Sequence, residues 1–139
     1  MTYLLDTNVL LHLVNHASGY THIKSRFSSA TPGSLCISAI TVWEISRMVE
    51  KAKVPSKASL AALELMAQFP VEVLDKTSAA IGGNLHAALA NQGITIGERD
   101  SMIAAIALIK GFVMVTDNTK EFCRIPGLSL ENWRQPAPA

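Results

Sequence analysis

The chain has 139 residues, of which 49% are hydrophobic and 17% charged, and its net charge is +1. That length and balance point to one globular domain with a dense core and exclude a disordered chain. They also exclude a globally basic nucleic-acid binder, so any basic footprint has to be local.

In chain order, "TYLLD" predicts a short, fully buried strand. "NVLLHLVNHA" follows as a helix that Gly19 ends, and "HIKSRFSSA" gives a second helical piece. "SLCISAI" predicts a strand, and "TVWEISRMVEKAKV" a helix that Pro55 stops. "SKASLAALELMAQF" is another helix, with Ser56 or Ser59 as N-cap. "VEVLD" alternates like a strand. "TSAAIGGNLHAALANQG" is a helix weakened by Gly82 and Gly83 and closed by Gly93. "ERDSMIAAIALIKG" is apolar on nearly every face and is therefore a buried helix. "FVMVTD" is a strand, and "LSLENW" adds a last short one.

Strands alternating with helices imply parallel pairing and right-handed crossovers. The expected architecture is α/β, a three-layer sandwich with a central, mostly parallel sheet flanked by helices. It is expected to span residues 1–134, with the end of "RQPAPA", residues 135–139, as a frayed tail. The two cysteines, Cys36 and Cys123, have no Cys-x-x-Cys spacing and read as reduced thiols of a cytoplasmic protein. The N-terminus lacks a basic n-region, and no uncharged apolar run reaches about 18 residues, so neither a signal peptide nor a membrane span is expected.

Four acidic residues sit in unusual surroundings: Asp6, Glu44, Asp100 and Asp117. Each has a commonplace explanation. Asp6 suits an N-cap. Thr41-Val42-Trp43-Glu44 fits a capping box, with Glu44 reaching back to the Thr41 amide. Asp100 complements a helix dipole, although it shares a face with Ile103, Ala104 and Ala107, where an exposed Asp would serve as well. Asp117-Asn118 is an ordinary turn pair. The conjunction decides. All four fall at the carboxyl end of a strand or in the first turn of a helix, and in a parallel sheet those positions converge on the edge where ligands bind. Carboxylates gathered there repel one another unless a cation is present. Oxygen-only ligation suits Mg²⁺ or Mn²⁺, and such a site is usual apparatus for phosphoryl chemistry.

At these residues the chain resembles a PIN-domain ribonuclease, specifically a VapC-type toxin of a bacterial toxin–antitoxin pair. The segments that carry the resemblance are "LLDTNVLL", "CISAITVWEI", "LANQGITIGERDSMIAAIAL" and "VMVTDNTKEFCRIPGLSLENW". The resemblance implies a PIN fold and a metal-dependent endoribonuclease whose acidic quartet falls on Asp6, Glu44, Asp100 and Asp117. It places Thr7, Asn8 and Thr116 as supporting polar residues, with Asn118 and Glu121 beside them. It implies products with a 5′-phosphate and a 3′-hydroxyl, a VapB-type antitoxin as partner, and a homodimer with apolar helices such as 59–69 as surfaces. The "NTKEFCRIPGLSLENW" ending resembles the branch that cuts the anticodon loop of initiator tRNA. The chain departs from the family at "IGERD", where relatives more often carry a Pro and an aromatic and where Glu98 is added. It departs again at His86, where Arg is common.

Local positive charge for RNA is expected from Arg47, Lys51 and Lys53, with Lys57 following, and from Lys120 and Arg124; for any single Lys a solvated face is the simpler reading. A rival reading is an HAD-like phosphohydrolase, since "LLDTN" resembles its first motif, but position 8 is Asn where that chemistry wants a second Asp. A receiver domain leaves Glu44 and Asp100 without a role. A non-catalytic interaction module is the third alternative.

Overall fold

The computed structural model describes residues 1–138. Five strands, β1 (Tyr3–Leu5), β2 (Leu35–Ser38), β3 (Val71–Glu72), β4 (Val113–Val115) and β5 (Leu130–Glu131), form one sheet in the order β3-β2-β1-β4-β5. Every pairing is parallel. The helices are α1 (Thr7–Val14), α2 (Tyr20–Ser29), α3 (Ala39–Lys51), α4 (Lys57–Met66), α5 (Lys76–Asn91), α6 (Glu98–Lys110) and α7 (Thr119–Phe122).

Alternation along the strands builds two cores. Leu4 pairs with Cys36 and Met114, and all three face Ile103, Ala104 and Ala107 of α6 and Leu89 of α5. Leu5 pairs with Ile37 and Val115, which face the opposite layer with Val9 and Leu10 of α1, Ile45 of α3 and Ala62 of α4. The three-layer sandwich expected from the alternation of strands and helices is the one observed. Gly82 has a packing role: a Cβ there would meet the Ser101 carbonyl at 3.4 Å and the Ala105 Cβ at 3.5 Å, so glycine lets α5 lie close against α6.

Several boundaries differ from the sequence expectation. β2 stops at Ser38, whose side chain caps α3 by accepting the Thr41 amide at 3.1 Å. Ala39 and Ile40 therefore belong to the helix. Gly19 does not end α1, which closes at Asn15; it opens α2 with φ 87°. The reason lies far along the chain, because a Cβ on Gly19 would run into the Arg134 carbonyl. The "VEVLD" strand is reduced to Val71–Glu72, since Asp75 caps α5 in a reciprocal capping box with Ser78. Ser56, not Ser59, caps α4. The single turn α7 is too short to show a hydrophobic period and was not expected. Ala139, the last residue of the expected tail, lies outside the described residues.

The sheet order reverses around β1, which has β2 on one side and β4 on the other. The carboxyl ends of these three strands deliver Asp6, Ser38 and Thr116 to one edge, the position where open parallel sheets hold ligands.

Candidate active site

Asp6 follows β1 and is only 4% exposed. Its Oδ1 accepts the Thr7 amide at 2.9 Å, so the N-cap reading accounts for one oxygen. Oδ2 accepts the Thr116 hydroxyl at 2.9 Å, which ties the carboxyl to the end of β4. Burial pushes its pKa up; the Thr116 bond opposes this, the Asp100 and Glu44 charges add to it, and the outcome is about 7.

Glu44 does not close a capping box, because Ser38 has taken the Thr41 amide. Its Oε1 instead accepts the Thr7 hydroxyl at 2.8 Å, and its Oε2 lies 3.5 Å from Arg99 Nε. The Thr7 hydroxyl has one proton, and that proton is committed to Glu44. The Thr41 hydroxyl, 2.9 Å away, must therefore donate to Thr7, and Ser38 in turn donates to Thr41 at 3.4 Å. A line of hydroxyls thus runs from the end of β2 to the Glu44 carboxylate and fixes its direction. Ser38 and Thr41 were not expected in this role; their signal was only their position after a buried strand.

Asp100 stands in the first turn of α6. A Cβ at Gly97 would approach its Oδ2 at 3.2 Å, so glycine keeps that oxygen uncrowded. Burial raises the Asp100 pKa first, the Glu44 and Glu121 charges raise it further, and Arg99 partly offsets them. Glu121 receives the Asn118 side-chain amide at 2.9 Å, while the Asn118 backbone N–H donates to the Thr116 hydroxyl at 3.1 Å. Asn8, Glu44, Gly97, Glu98, Arg99 and Asp100 line a cleft of about 510 Å³.

Asp117 has different company. Its Oδ2 accepts Arg134 Nη1 at 2.8 Å and lies 3.0 Å from His12 Nε2. Burial would raise its pKa, but the Arg134 hydrogen bond and the nearby His12 outweigh burial and lower it. The structure therefore groups Asp6, Glu44 and Asp100, with Glu121 close enough to act on Asp100, and sets Asp117 against Arg134 and His12. Arg99, His12 and Arg134 were not among the residues expected here; Arg99 announces itself only as a basic residue beside Asp100.

Of the expected RNA contacts, Arg47 lines a small cavity with Thr7, Asn8 and Glu44. Lys51, Lys53, Lys120 and Arg124 are exposed and make no ion pair among the described residues. His86 lines a separate cavity with Leu74, Gly82 and Glu98.

Among the described residues, no three His, Cys, Asp or Glu side chains converge closely enough to hold a metal ion by themselves. The donor chemistry nevertheless fits a hard divalent cation: the acids offer oxygen only, and Asp6 and Asp100 are pushed toward protonation by burial and by like charge. Mg²⁺ is commonly held by one or two carboxylates with waters and substrate phosphates completing its shell.

A PIN domain family model matches residues 3–128. A tRNA(fMet)-specific endonuclease VapC of Salmonella typhimurium is 39% identical over 135 residues, spanning 96% of this chain and 98% of that protein. One from Shigella flexneri is 34% identical over 134 residues with the same coverage. The crystal structure of DNA-bound VapBC from Salmonella typhimurium superposes with a TM-score of 0.82 at 34% identity, covering 96% of this chain and 98% of that one. The chain belongs to the PIN-domain family and, within it, to the VapC ribonucleases.

Proposed function

We propose that the protein is a divalent-metal-dependent endoribonuclease toxin that hydrolyses an RNA phosphodiester in the anticodon loop of initiator tRNA and is held inactive by a VapB-type antitoxin. The observation that carries the chemistry is the buried Asp6 carboxyl, fixed at both oxygens and sharing its surroundings with Glu44 and Asp100. The substrate follows from the relatives named as tRNA(fMet)-specific endonucleases, and the partner from the VapBC structure. The setting is the cytoplasm, and the working form is a homodimer.

Asp6, Glu44 and Asp100 would hold Mg²⁺ or Mn²⁺, with Glu121 and Asp117 flanking them. When bound, such an ion supplies a more acidic water and a counter-charge for the phosphate oxygens. The chain's own residues do the positioning. Thr7 and Thr116 keep Asp6 in one rotamer, and the Ser38–Thr41–Thr7 hydroxyls aim Glu44. Asn118 orients Glu121. Arg47, Lys51, Lys53, Lys120 and Arg124 hold the phosphate backbone, which makes cleavage weaken with salt. The HAD-like alternative is disfavoured, since the cleft holds Asn8 where that chemistry wants a second Asp, and Glu44 and Asp100 line it without a role in that chemistry.

The purified protein with Mg²⁺ is expected to cut initiator tRNA once, in the anticodon loop, and to leave elongator tRNAs mostly intact, with Asp100→Asn inactive on both. Sequencing of the cleavage ends checks this. Equal cutting of all tRNAs would remove the substrate assignment, and cleavage that persists in EDTA would remove the metal.

A further inference from the structure

Beside the acid cleft lies an apolar groove of about 400 Å³ lined by Ala39, Ile40, Trp43, Leu74, Arg99 and Met102. Trp43 leaves 51% of its surface exposed, whereas the other tryptophan, Trp133, is 3% exposed. Two guanidiniums attend the open indole: Arg99 with its Cζ 4.9 Å from the ring centroid, and Arg47 at 5.8 Å. Arg47 stands one turn after Trp43 on α3, while Arg99 comes from α6. Arg99 is also a wall of the acid cleft and neighbours Glu44 at 3.5 Å. An aromatic surface, two cations and the acids therefore follow one another along a single edge of the sheet.

The charge pattern selects the occupant. An apolar peptide would fill the groove but has no use for the guanidinium of Arg99 in its wall or for that of Arg47 against the indole. A single-stranded nucleotide offers a π-face to the indole and a phosphate to the guanidiniums, the combination on which proteins hold unpaired bases. The acids repel a polyanion, and among the described residues Arg47 and Arg99 are the cations that line the groove, the cleft and the small cavity between them. The groove also falls within the size range of small-ligand sites, about 300–1,000 Å³.

We propose that Trp43, assisted by Arg99 and Arg47, is a stacking platform for one nucleobase next to the bond that is cut, so that it sets which loop nucleotide enters the cleft. This rests on the ribonuclease reading. A base splayed onto Trp43 places the adjoining phosphate toward Arg99 and the acids. Duplex RNA, whose bases are stacked and paired, is not able to use the platform.

The test uses the full-length protein and anticodon stem-loop RNAs carrying a single abasic nucleotide at each loop position in turn. One abasic position is expected to lower kcat/KM of the wild type by about 5- to 150-fold, the range for loss of one base–aromatic stack. Trp43→Ala is expected to lose a similar factor on intact RNA and nothing more on that abasic RNA, because both changes delete the same contact. Trp43→Phe keeps most of the activity. Intact RNA is expected to quench indole emission in the wild type but not in Trp43→Phe, whose remaining indole is buried. Trp43→Ala cutting intact RNA like the wild type overturns the platform and leaves the ribonuclease reading standing, and so does a variant that still responds to every abasic position as the wild type does. Weakened antitoxin binding with unchanged cleavage assigns the groove to a peptide and overturns it as well. A wild type that cuts no RNA overturns both readings. Should Trp43→Ala melt early, the wild-type quench decides alone: equal quenching by intact RNA and by every abasic RNA overturns the proposal.

Discussion

Asp6 and Asp117 stand at the ends of the neighbouring strands β1 and β4, a few residues of backbone from one another across the sheet, yet their carboxyls meet opposite electrostatic surroundings. Asp6 is surrounded by hydroxyl and amide donors and by other acids, and its pKa rises to about 7. Asp117 receives Arg134 and His12, and its pKa falls. A shared sheet edge therefore brings acids together without giving them the same surroundings. What distinguishes them is whether the protein supplies the counter-charge itself. It does so at Asp117, whereas among Asp6, Glu44 and Asp100 the ion pair formed by the described residues is the long Arg99–Glu44 contact at 3.5 Å.

Amide substitutions test that contrast most severely. Asp6→Asn is expected to lower RNA cleavage by about 100-fold or more, beyond the 10- to 100-fold common for residues that only support a metal shell, while Asp117→Asn is expected to cost less than about 10-fold. Single-turnover cleavage by both variants measures this. Equal losses would place Asp117 among the metal-holding acids and dissolve the comparison. Glu44→Gln sharpens it, because Gln still accepts the Thr7 hydroxyl but carries no charge. Cleavage is expected to fall about 100-fold, at or above the upper end of that supporting range, with a nearly unchanged melting temperature. An early melt with intact cleavage would make Glu44 a structural residue.

The pH dependence of stability separates the two regions without any substrate. A raised carboxyl pKa means that the folded, metal-free protein holds the proton more tightly than the unfolded chain does. The stability Asp6 contributes is full below the unfolded value of 3.8 and is lost as pH climbs to about 7. Asp100, also raised, acts in the same sense. Asp117 acts in the opposite sense: its contribution is present above the unfolded value of 3.8 and is lost as pH falls below it. Urea midpoints of EDTA-treated protein are expected to fall between about pH 5 and pH 7.5, and Mn²⁺ is expected to restore them at the upper end. Asp6→Asn should flatten the slope; an unchanged slope would show that Asp6 does not titrate there. The smallest effect belongs to the Asp117 side. Breaking the Asp117–Arg134 contact with Arg134→Gln is expected to cost about 1–2 kcal/mol of stability, since both groups are only partly buried. A double-mutant cycle with Asp117→Asn measures the coupling, and additive losses would deny it.

How much of this was legible in the sequence depends on how local the cause is. Asp6, Glu44 and Asp100 were marked by a carboxylate at the end of a buried strand or on the apolar face of a helix, and both are local patterns. The parallel pairing follows from the alternation of strands and helices, whereas the strand order β3-β2-β1-β4-β5 is set by which crossovers pass over which and leaves no local pattern. At Glu44 the local pattern pointed two ways, because Thr41-x-x-Glu44 also matches a capping box. Ser38 caps the helix three residues earlier, so the box is never formed. The partners of Asp117 were not legible. His12 lies 105 residues before it, and Arg134 opens the Pro-rich stretch that reads as a loose end. Such pairs are created by the fold, and periodicity carries no trace of them. The same holds for Trp43 and Arg99, which come from different helices and meet only when the sandwich closes.

Both borders of the sheet are short, and that has a bearing on self-association. β3 and β5 contribute two residues each, Val71–Glu72 and Leu130–Glu131. A long, flat border with unpaired amides is a template for strand-to-strand aggregation. Here each border offers almost no ladder and ends in a glutamate, with Glu72 3.9 Å from Lys110 and Glu131 bound to Arg26 at 3.3 Å. A newly made chain is therefore guarded against polymerising through its sheet. A second copy has to approach through helix faces, such as the surface of α4 where Leu60 is half exposed.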